Sequence, residues 1–183
     1  YYIFNTSCEL LVLKKDVGVS VCRCGDYSDD DYRTIIYNIV DFAAKNRKRL
    51  KVFVLNPSDI ELSIDLMAAA DAAKVESHLV KSTSIEYIEN IQRCEIFISM
   101  RMHGAVTAFL KYTPFVLIEY GEKCTEFLND IGYSNIGRVK KIQSLNKSLN
   151  FLLNSYRAPL INPKDYALAV NKSLIEALNE SLS

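Results

Sequence analysis

The sequence predicts an α/β domain, one parallel sheet with helices packed on it, and three observations carry that. Short runs of almost wholly apolar residues recur along the chain, as expected of strands covered on both faces. Between them lie longer stretches whose apolar residues repeat at helical spacing. The two patterns alternate as far as about residue 140, the signature of βαβ units joined by right-handed crossovers.

The first strand is read at 17–22, the β-branched run VGVSVC. A helix over 28–46 follows, with Tyr32, Ile35, Ile36, Ile39, Val40 and Ala43 in one stripe. Ser28 is placed to cap it with Asp31 three residues on, and the aspartates suit a helix N-terminus. KVFVLN at 51–56 is the second strand, ended by Pro57, and a helix at 59–74 comes next. The third strand, SHLV at 77–80, is short and weakly patterned. A helix at 84–94 leads to the strong strand EIFIS at 95–99. Another helix at 103–111 leads to FVLIE at 115–119. The helix at 122–132 closes on Gly132, a suitable residue just past a helix end. Beyond residue 140 two helical stretches, 142–156 and 164–181, are separated by Pro159 and Pro163. Neither a repeat nor a low-complexity tract interrupts the pattern. The economical reading is a single Rossmann-like domain over 1–183, with 1–15 a candidate interdomain segment and 140–183 the C-terminal helices.

Composition narrows the function classes. Hydrophobic residues make up 49% of the chain, enough for a sizeable core. Lysine and arginine total 22 against 22 aspartate and glutamate, which gives no reason to expect nucleic acid or a membrane surface as partner. A bound anion must therefore be met by a local cluster of charge. No apolar run approaches the roughly eighteen residues of a membrane helix, and the first fifteen residues lack the marks of a signal peptide. The chain does not begin with Met and is expected to be a piece of a longer protein. Five cysteines, at 8, 22, 24, 94 and 124, form no C-x-x-C pair, and two histidines are too few for a zinc site. Cys22 and Cys24 flank Arg23 and are read as small buried hydrophobes facing one side, with no disulfide scaffold.

Open α/β sheets bind ligands at the carboxyl ends of their strands. The residues found there are Arg23, Cys24 and Gly25 after the first strand and Asn56 and Pro57 after the second. Met100, Arg101, Met102, His103 and Gly104 follow the fourth, and Glu119, Tyr120, Gly121, Glu122 and Lys123 the fifth. An arginine fork can meet a carboxylate or phosphate with two hydrogen bonds. The helix starting near His103 would aim backbone N–H groups at the same rim, with Gly104 allowing an anion close approach. His103 is the natural general acid or base, imidazole being the side chain suited to proton transfer near neutral pH. Singly, each has a plainer reading. Arg23 and Lys123 would be solvated surface residues, Tyr120 sheet-edge packing, and His103 a helix-start residue bonded to a loop. Met100 and Met102 would pack against neighbours, and His78 would be a core or edge histidine. Together, spacing alone says anion site. The chain has no G-x-G-x-x-G after its first strand, no P-loop and no G-x-S-x-G elbow, which disfavours dinucleotide dehydrogenases, P-loop nucleotidases and serine hydrolases.

Residues 84–133 resemble the C-terminal part of the polysaccharide pyruvyl transferase family. The matching positions are Ser99, Arg101, Met102, His103, Ala108, Pro114, Tyr120, Lys123, Phe127 and Gly132. The strand VGVSVCR, ending at Arg23, extends the likeness over 17–133, although Cys24 and Gly25 depart from the regular loop expected after that arginine. The resemblance implies the C-terminal half of a glycosyltransferase-B type fold, with an N-terminal half missing from this chain. It also implies transfer of a pyruvyl group from phosphoenolpyruvate to two sugar hydroxyls, forming a ketal on a cell-surface or exopolysaccharide precursor. Arg23 and Arg101 would then clamp the donor's carboxylate and phosphate, His103 would transfer the proton, and Tyr120 and Lys123 would help hold phosphate. No metal or cofactor is implied beyond phosphoenolpyruvate as donor substrate. The acceptor would be a sugar or glycan-lipid, and the location cytoplasmic, at the inner face of the membrane where the acceptor is lipid-borne. Two alternatives stand beside this. One is a glycosyltransferase or sugar-nucleotide enzyme of the same fold, for which Glu119 and Glu122 are the nearby candidates to bind ribose. The other is a non-catalytic half-domain that binds an anion or a partner.

Overall fold

In the computed structural model six strands form one sheet: β1 (Asp16–Ser20), β2 (Arg49–Phe53), β3 (Ser77–Val80), β4 (Ile96–Ser99), β5 (Phe115–Ile118) and β6 (Arg138–Val139). The structure describes residues 16–25, 27–80, 84–133, 137–154, 162–166 and 168. Their order is β3-β2-β1-β4-β5-β6, and every pairing is parallel. The connecting helices are α1 (Asp29–Lys45), α2 (Ile60–Ala72), α3 (Ser84–Gln92), α4 (Met102–Leu110) and α5 (Glu122–Asp130), and α6 (Leu145–Asn154) follows β6.

Alternation along the strands builds two cores. Val17, Val19, Ile96 and Ile98 face one side and pack with Ile35 and Ile39 of α1, Leu66 of α2 and Leu149 of α6. Phe97, Phe115 and Leu117 face the other and pack with Ile91 of α3, Ala105 and Phe109 of α4, and Phe127 of α5. Each fully buried large side chain is worth about 1.5–3 kcal/mol. Both faces of β4 and β5 are thereby covered, which is why their sequences carry apolar residues at nearly every position, while β1 is buried along its whole length with Val17 and Val19 as its apolar side chains.

Helix boundaries follow local chemistry. Asp31 N–H donates to Ser28 Oγ (3.2 Å) and Ser28 N–H to Asp31 Oδ2 (2.9 Å), the reciprocal cap expected at α1. Beyond α5, Gly132 takes φ +60°, and Tyr133 N–H closes the helix end on Leu128 O at 2.9 Å.

Four elements differ from expectation. β2, expected at 51–56, runs Arg49–Phe53, its first residues paired with Asp16 and Val17 of β1. β1 begins at Asp16 and ends at Ser20, because Asp16 is paired across the sheet with Arg49 (2.7 Å) and Lys51 (3.0 Å) while 21–24 leave the ladder. A sixth strand, Arg138–Val139, was not anticipated; two residues carry no periodicity, and it pairs only with Leu117 and Ile118. The helix expected at 142–156 is a 3-10 turn, Ile142–Ser144, followed by α6. Most of the stretch at 164–181, the segment 1–15 and Cys8 lie outside the described residues. His78 is exposed on the edge strand β3, and Cys22, Cys24, Cys94 and Cys124 form no disulfide among the described residues.

Candidate functional site

The strand order reverses between β1 and β4, so α1 and α4 leave toward opposite faces and a crevice opens at the carboxyl ends. Both loops bordering it are tied together: Met100 N–H donates to Ser20 O (2.8 Å), and the Cys22 thiol to Met100 O (3.4 Å).

Arg101 is the N-cap of α4, and the Ser99 hydroxyl pins its backbone by accepting from Arg101 N–H (3.2 Å) and donating to Arg101 O (2.6 Å). Its guanidinium is forked onto Asp59, with Nε to Oδ2 at 3.0 Å and Nη2 to Oδ1 at 2.5 Å. Asp59 is fully buried at the start of α2 and makes no side-chain cap for its own helix. Hydrogen bonding to Asp59 pushes the guanidinium pKa further up, so the arginine stays charged and the pair is neutral overall. The start of α4 has no side-chain cap, which leaves its first N–H groups directed off the helix end.

His103, the second residue of α4, is exposed and borders a cleft of about 500 Å³ with Asn56, Tyr87, Arg101 and Thr107. Gly104 lies beneath. A Cβ there would sit 2.6 Å from Ser99 Oγ, 2.9 Å from Phe97 Cε1 and 3.1 Å from Leu55 Cδ1, so a glycine is needed to seat α4 on β4. Its missing side chain points into the packed interior.

The rest of the rim is divided. Tyr120 follows β5, and the Lys123 ammonium, on α5, rests over its ring at 5.0 Å from the centroid. Hydrogen bonding to Tyr120 raises the Lys123 pKa. Gly25, at φ +65°, packs against the Tyr120 backbone, and the Tyr27 hydroxyl donates to Glu119 O at 2.6 Å. The loop after β1 is thus clamped to the loop after β5, and the irregular Cys24-Gly25 step fits because glycine takes the left-handed conformation freely. Arg23 itself turns toward α1: Nη1 pairs with Asp29 Oδ1 (2.7 Å) and the guanidinium covers the Tyr32 ring at 5.1 Å. It lines a separate groove of about 800 Å³ between α1 and α2. The structure therefore gathers Arg101 and His103 at one cleft, seats Gly104 beneath the start of α4, leaves Tyr120 and Lys123 paired with each other at the end of β5 outside that lining, and gives Arg23 another outlook.

Sequence reasoning did not find Asp59, Tyr87 or Thr107. Asp59 had a signal, since it follows Asn56 and Pro57 in a strand-end loop, whereas Tyr87 reads as one more apolar position of a helix. Glu119, a candidate for binding ribose, is committed elsewhere. It is buried, accepts from Arg138 Nε (3.2 Å), Arg138 Nη2 (3.2 Å) and Thr125 Oγ1 (2.5 Å), and anchors β6. Glu122 is exposed at the start of α5.

Fold and rim together define a doubly wound α/β domain with a cleft at the carboxyl ends of its strands, bordered by Arg101, His103 and the uncapped start of α4. Residues 7–122 match the family model for polysaccharide pyruvyl transferase, and the chain belongs to that family. No curated protein matches the chain in sequence. Among solved structures, UDP-GlcNAc 2-epimerase from Neisseria meningitidis superposes with a TM-score of 0.64 at 14% identity, covering 88% of this chain and 45% of the epimerase. The Methanocaldococcus jannaschii UDP-GlcNAc 2-epimerase gives 0.59 at 12%, covering 88% and 46%. For the catalytic domain of cholesterol-alpha-glucosyltransferase from Helicobacter pylori the TM-score is 0.51 at 12%, with 86% and 98% covered. These likenesses establish the Rossmann-like fold, and the chain spans a little under half the length of either epimerase.

Proposed function

We propose that this chain is the C-terminal, donor-binding half of a glycosyltransferase-B type pyruvyl transferase that uses phosphoenolpyruvate. The supporting observation is that Arg101 and His103, the family-like pair, share one cleft at the uncapped start of α4. Phosphoenolpyruvate carries a carboxylate and a phosphate, and the cleft offers a charged arginine edge and helix N–H groups to such a ligand.

The chemistry then balances as follows. A proton is added to the methylene carbon of the enol, giving an oxocarbenium-like centre at the carbon bearing the phosphate. One sugar hydroxyl bonds to that carbon and loses its proton. The C–O bond to phosphate breaks, and a second hydroxyl adds and loses its proton, leaving a ketal and inorganic phosphate. His103 is the group placed to deliver or take these protons, and Arg101 with the α4 amides stabilises the departing phosphate. Lys123 and Tyr120 would supply further contacts to phosphate, with Gly104 letting α4 sit close enough to take part. Arg23 would join the clamp only by leaving Asp29. Phosphoenolpyruvate is a substrate, and the scheme calls on no metal or cofactor. The acceptor is a sugar or glycan-lipid held with the help of an N-terminal half, and the setting is the cytoplasmic side of the membrane. No described helix is long and apolar enough to cross a membrane.

The test is phosphate release from phosphoenolpyruvate by the full-length protein with a glycan acceptor. Loss of release in His103→Gln and Arg101→Lys, with the fold retained, is expected. The sugar-nucleotide reading draws on the epimerase likeness, but Glu119 is already engaged by Arg138 and Thr125. Consumption of a sugar nucleotide with phosphoenolpyruvate untouched would overturn the pyruvyl transfer reading in its favour.

A further inference from the structure

Asp59 is the one described carboxylate that is completely shielded from solvent, and it sits where an aspartate ordinarily caps a helix. It does not cap α2. Its two oxygens instead reach from the loop after β2 to the first residue before α4, spanning the end of β1 that lies between their strands. The loop is braced for this. Asp59 N–H donates to Asn56 O (2.9 Å), Ser63 Oγ donates to Asp59 O (2.8 Å), and Ser58 N–H donates to Asn56 Oδ1 (3.0 Å).

The fork has a consequence for ligand binding. Asp59 occupies the Nε and Nη2 side of the Arg101 guanidinium, so the group cannot rotate. Nη1 has no partner among the described residues, and Nη2 otherwise meets only Ser58 Oγ at a long 3.4 Å. A planar guanidinium held by one edge presents its other edge in a fixed direction, suited to two oxygens of one carboxylate or phosphate group. Because Asp59 cancels the arginine's charge, binding at this edge depends on direction more than on net attraction.

We propose that Asp59 is the positioning residue of this cleft, holding Arg101 so that its Nη1 edge receives an anionic group of the ligand. The inference rests on the functional reading above for the identity of that ligand, phosphoenolpyruvate. It requires that Asp59 act through Arg101 and have no contact of its own with the donor.

Calorimetric titration of the full chain with phosphoenolpyruvate tests it, on Asp59→Asn, Arg101→Lys and the double variant, each checked by thermal unfolding. Asp59→Asn keeps the volume but leaves one acceptor oxygen in place of two and turns an NH2 group toward the guanidinium, so the fork is lost, and a roughly tenfold loss of affinity is expected in protein that remains folded. Arg101→Lys should lose a comparable factor, and adding Asp59→Asn to it should cost less than about twofold more, since both changes remove the same edge. Should Asp59→Asn melt below the assay temperature, Asp59→Glu, which keeps the charge but misplaces it, is judged by the same criteria. If Arg101→Lys weakens binding while Asp59→Asn does not, the positioning role is overturned and the functional reading stands. Effects that multiply in the double variant also overturn it, because a residue of structural value alone would act independently. If the unmodified chain binds no phosphoenolpyruvate, the functional reading falls and takes this assignment with it.

Discussion

Replacing Gly104 by alanine separates two reasons for a glycine at the start of α4. If the residue is there to let an anion approach, the variant should fold normally and fail only in binding. The geometry expects the opposite order of effects. An added Cβ would meet Ser99 Oγ at 2.6 Å, Phe97 Cε1 at 2.9 Å and Leu55 Cδ1 at 3.1 Å. Leu55 can swing aside, but Phe97 is fully buried and Ser99 Oγ is held between the N–H and carbonyl of Arg101. Overpacking of this kind costs about 1–3 kcal/mol, against which alanine returns up to about 1 kcal/mol of helix propensity. A net loss of about 1–2 kcal/mol is expected, or roughly 2–8 °C in melting temperature for a domain of this size. Urea unfolding followed by circular dichroism measures it. Gly121→Ala is the control for added volume, since nothing lies within 4 Å of a Cβ there; as the N-cap of α5 it should lose at most about 1 kcal/mol through the weaker cap, with no packing cost. A Gly104→Ala protein as stable as the parent would refute the packing argument.

Three further outcomes follow from the geometry. Burial alone would raise the Glu119 carboxyl, but hydrogen bonds from Arg138 and Thr125 outweigh it and hold the pKa below the usual range. Its stabilisation is therefore complete above the ordinary carboxylate pKa and is lost as pH falls through the depressed folded value, so melting temperature should decline on acidification below about pH 4.5. Glu119→Gln should be less stable at pH 7 and show a shallower acid decline. Tyr87→Phe should raise stability by about 1 kcal/mol, since the buried Tyr87 hydroxyl has no hydrogen-bond partner among the described residues; a clear loss in urea unfolding would contradict that. Among Cys22, Cys24, Cys94 and Cys124, alkylation followed by peptide mass mapping should find Cys24 first. It is half-buried where the others are buried, and hydrogen bonding to Cys22 lowers its pKa while that of Cys22 is raised.

Much of the architecture was legible because it rests on local periodicity. Ile96, Phe97 and Ile98 read as a strand covered on both faces, and both faces are covered, by α1 on one side and α4 on the other. The Ser28–Asp31 cap and the Gly132 helix end were readable for the same reason, each being a contact within a few residues. β6 was not, since Arg138 and Val139 form a strand only by pairing with Leu117 and Ile118. The rim was half legible. Arg101 and His103 stand two positions apart on one helix start, so sequence placed them together. Arg23 and Asp29 are neighbours too, yet only the folded chain reveals that the arginine turns to α1.

The alternation of elements, the end of the sheet where chemistry would collect, and the residue types available there all depend on spacing along the chain and could be read from it. Which of those charges are spoken for is settled by the folded chain. Asp59 is forty-two positions from Arg101 and Arg138 nineteen from Glu119, yet each partner sits within about hydrogen-bond reach of the other. Burial makes an unpaired charge costly, so the fold assigns partners by proximity in space, and no pattern in one dimension records that choice.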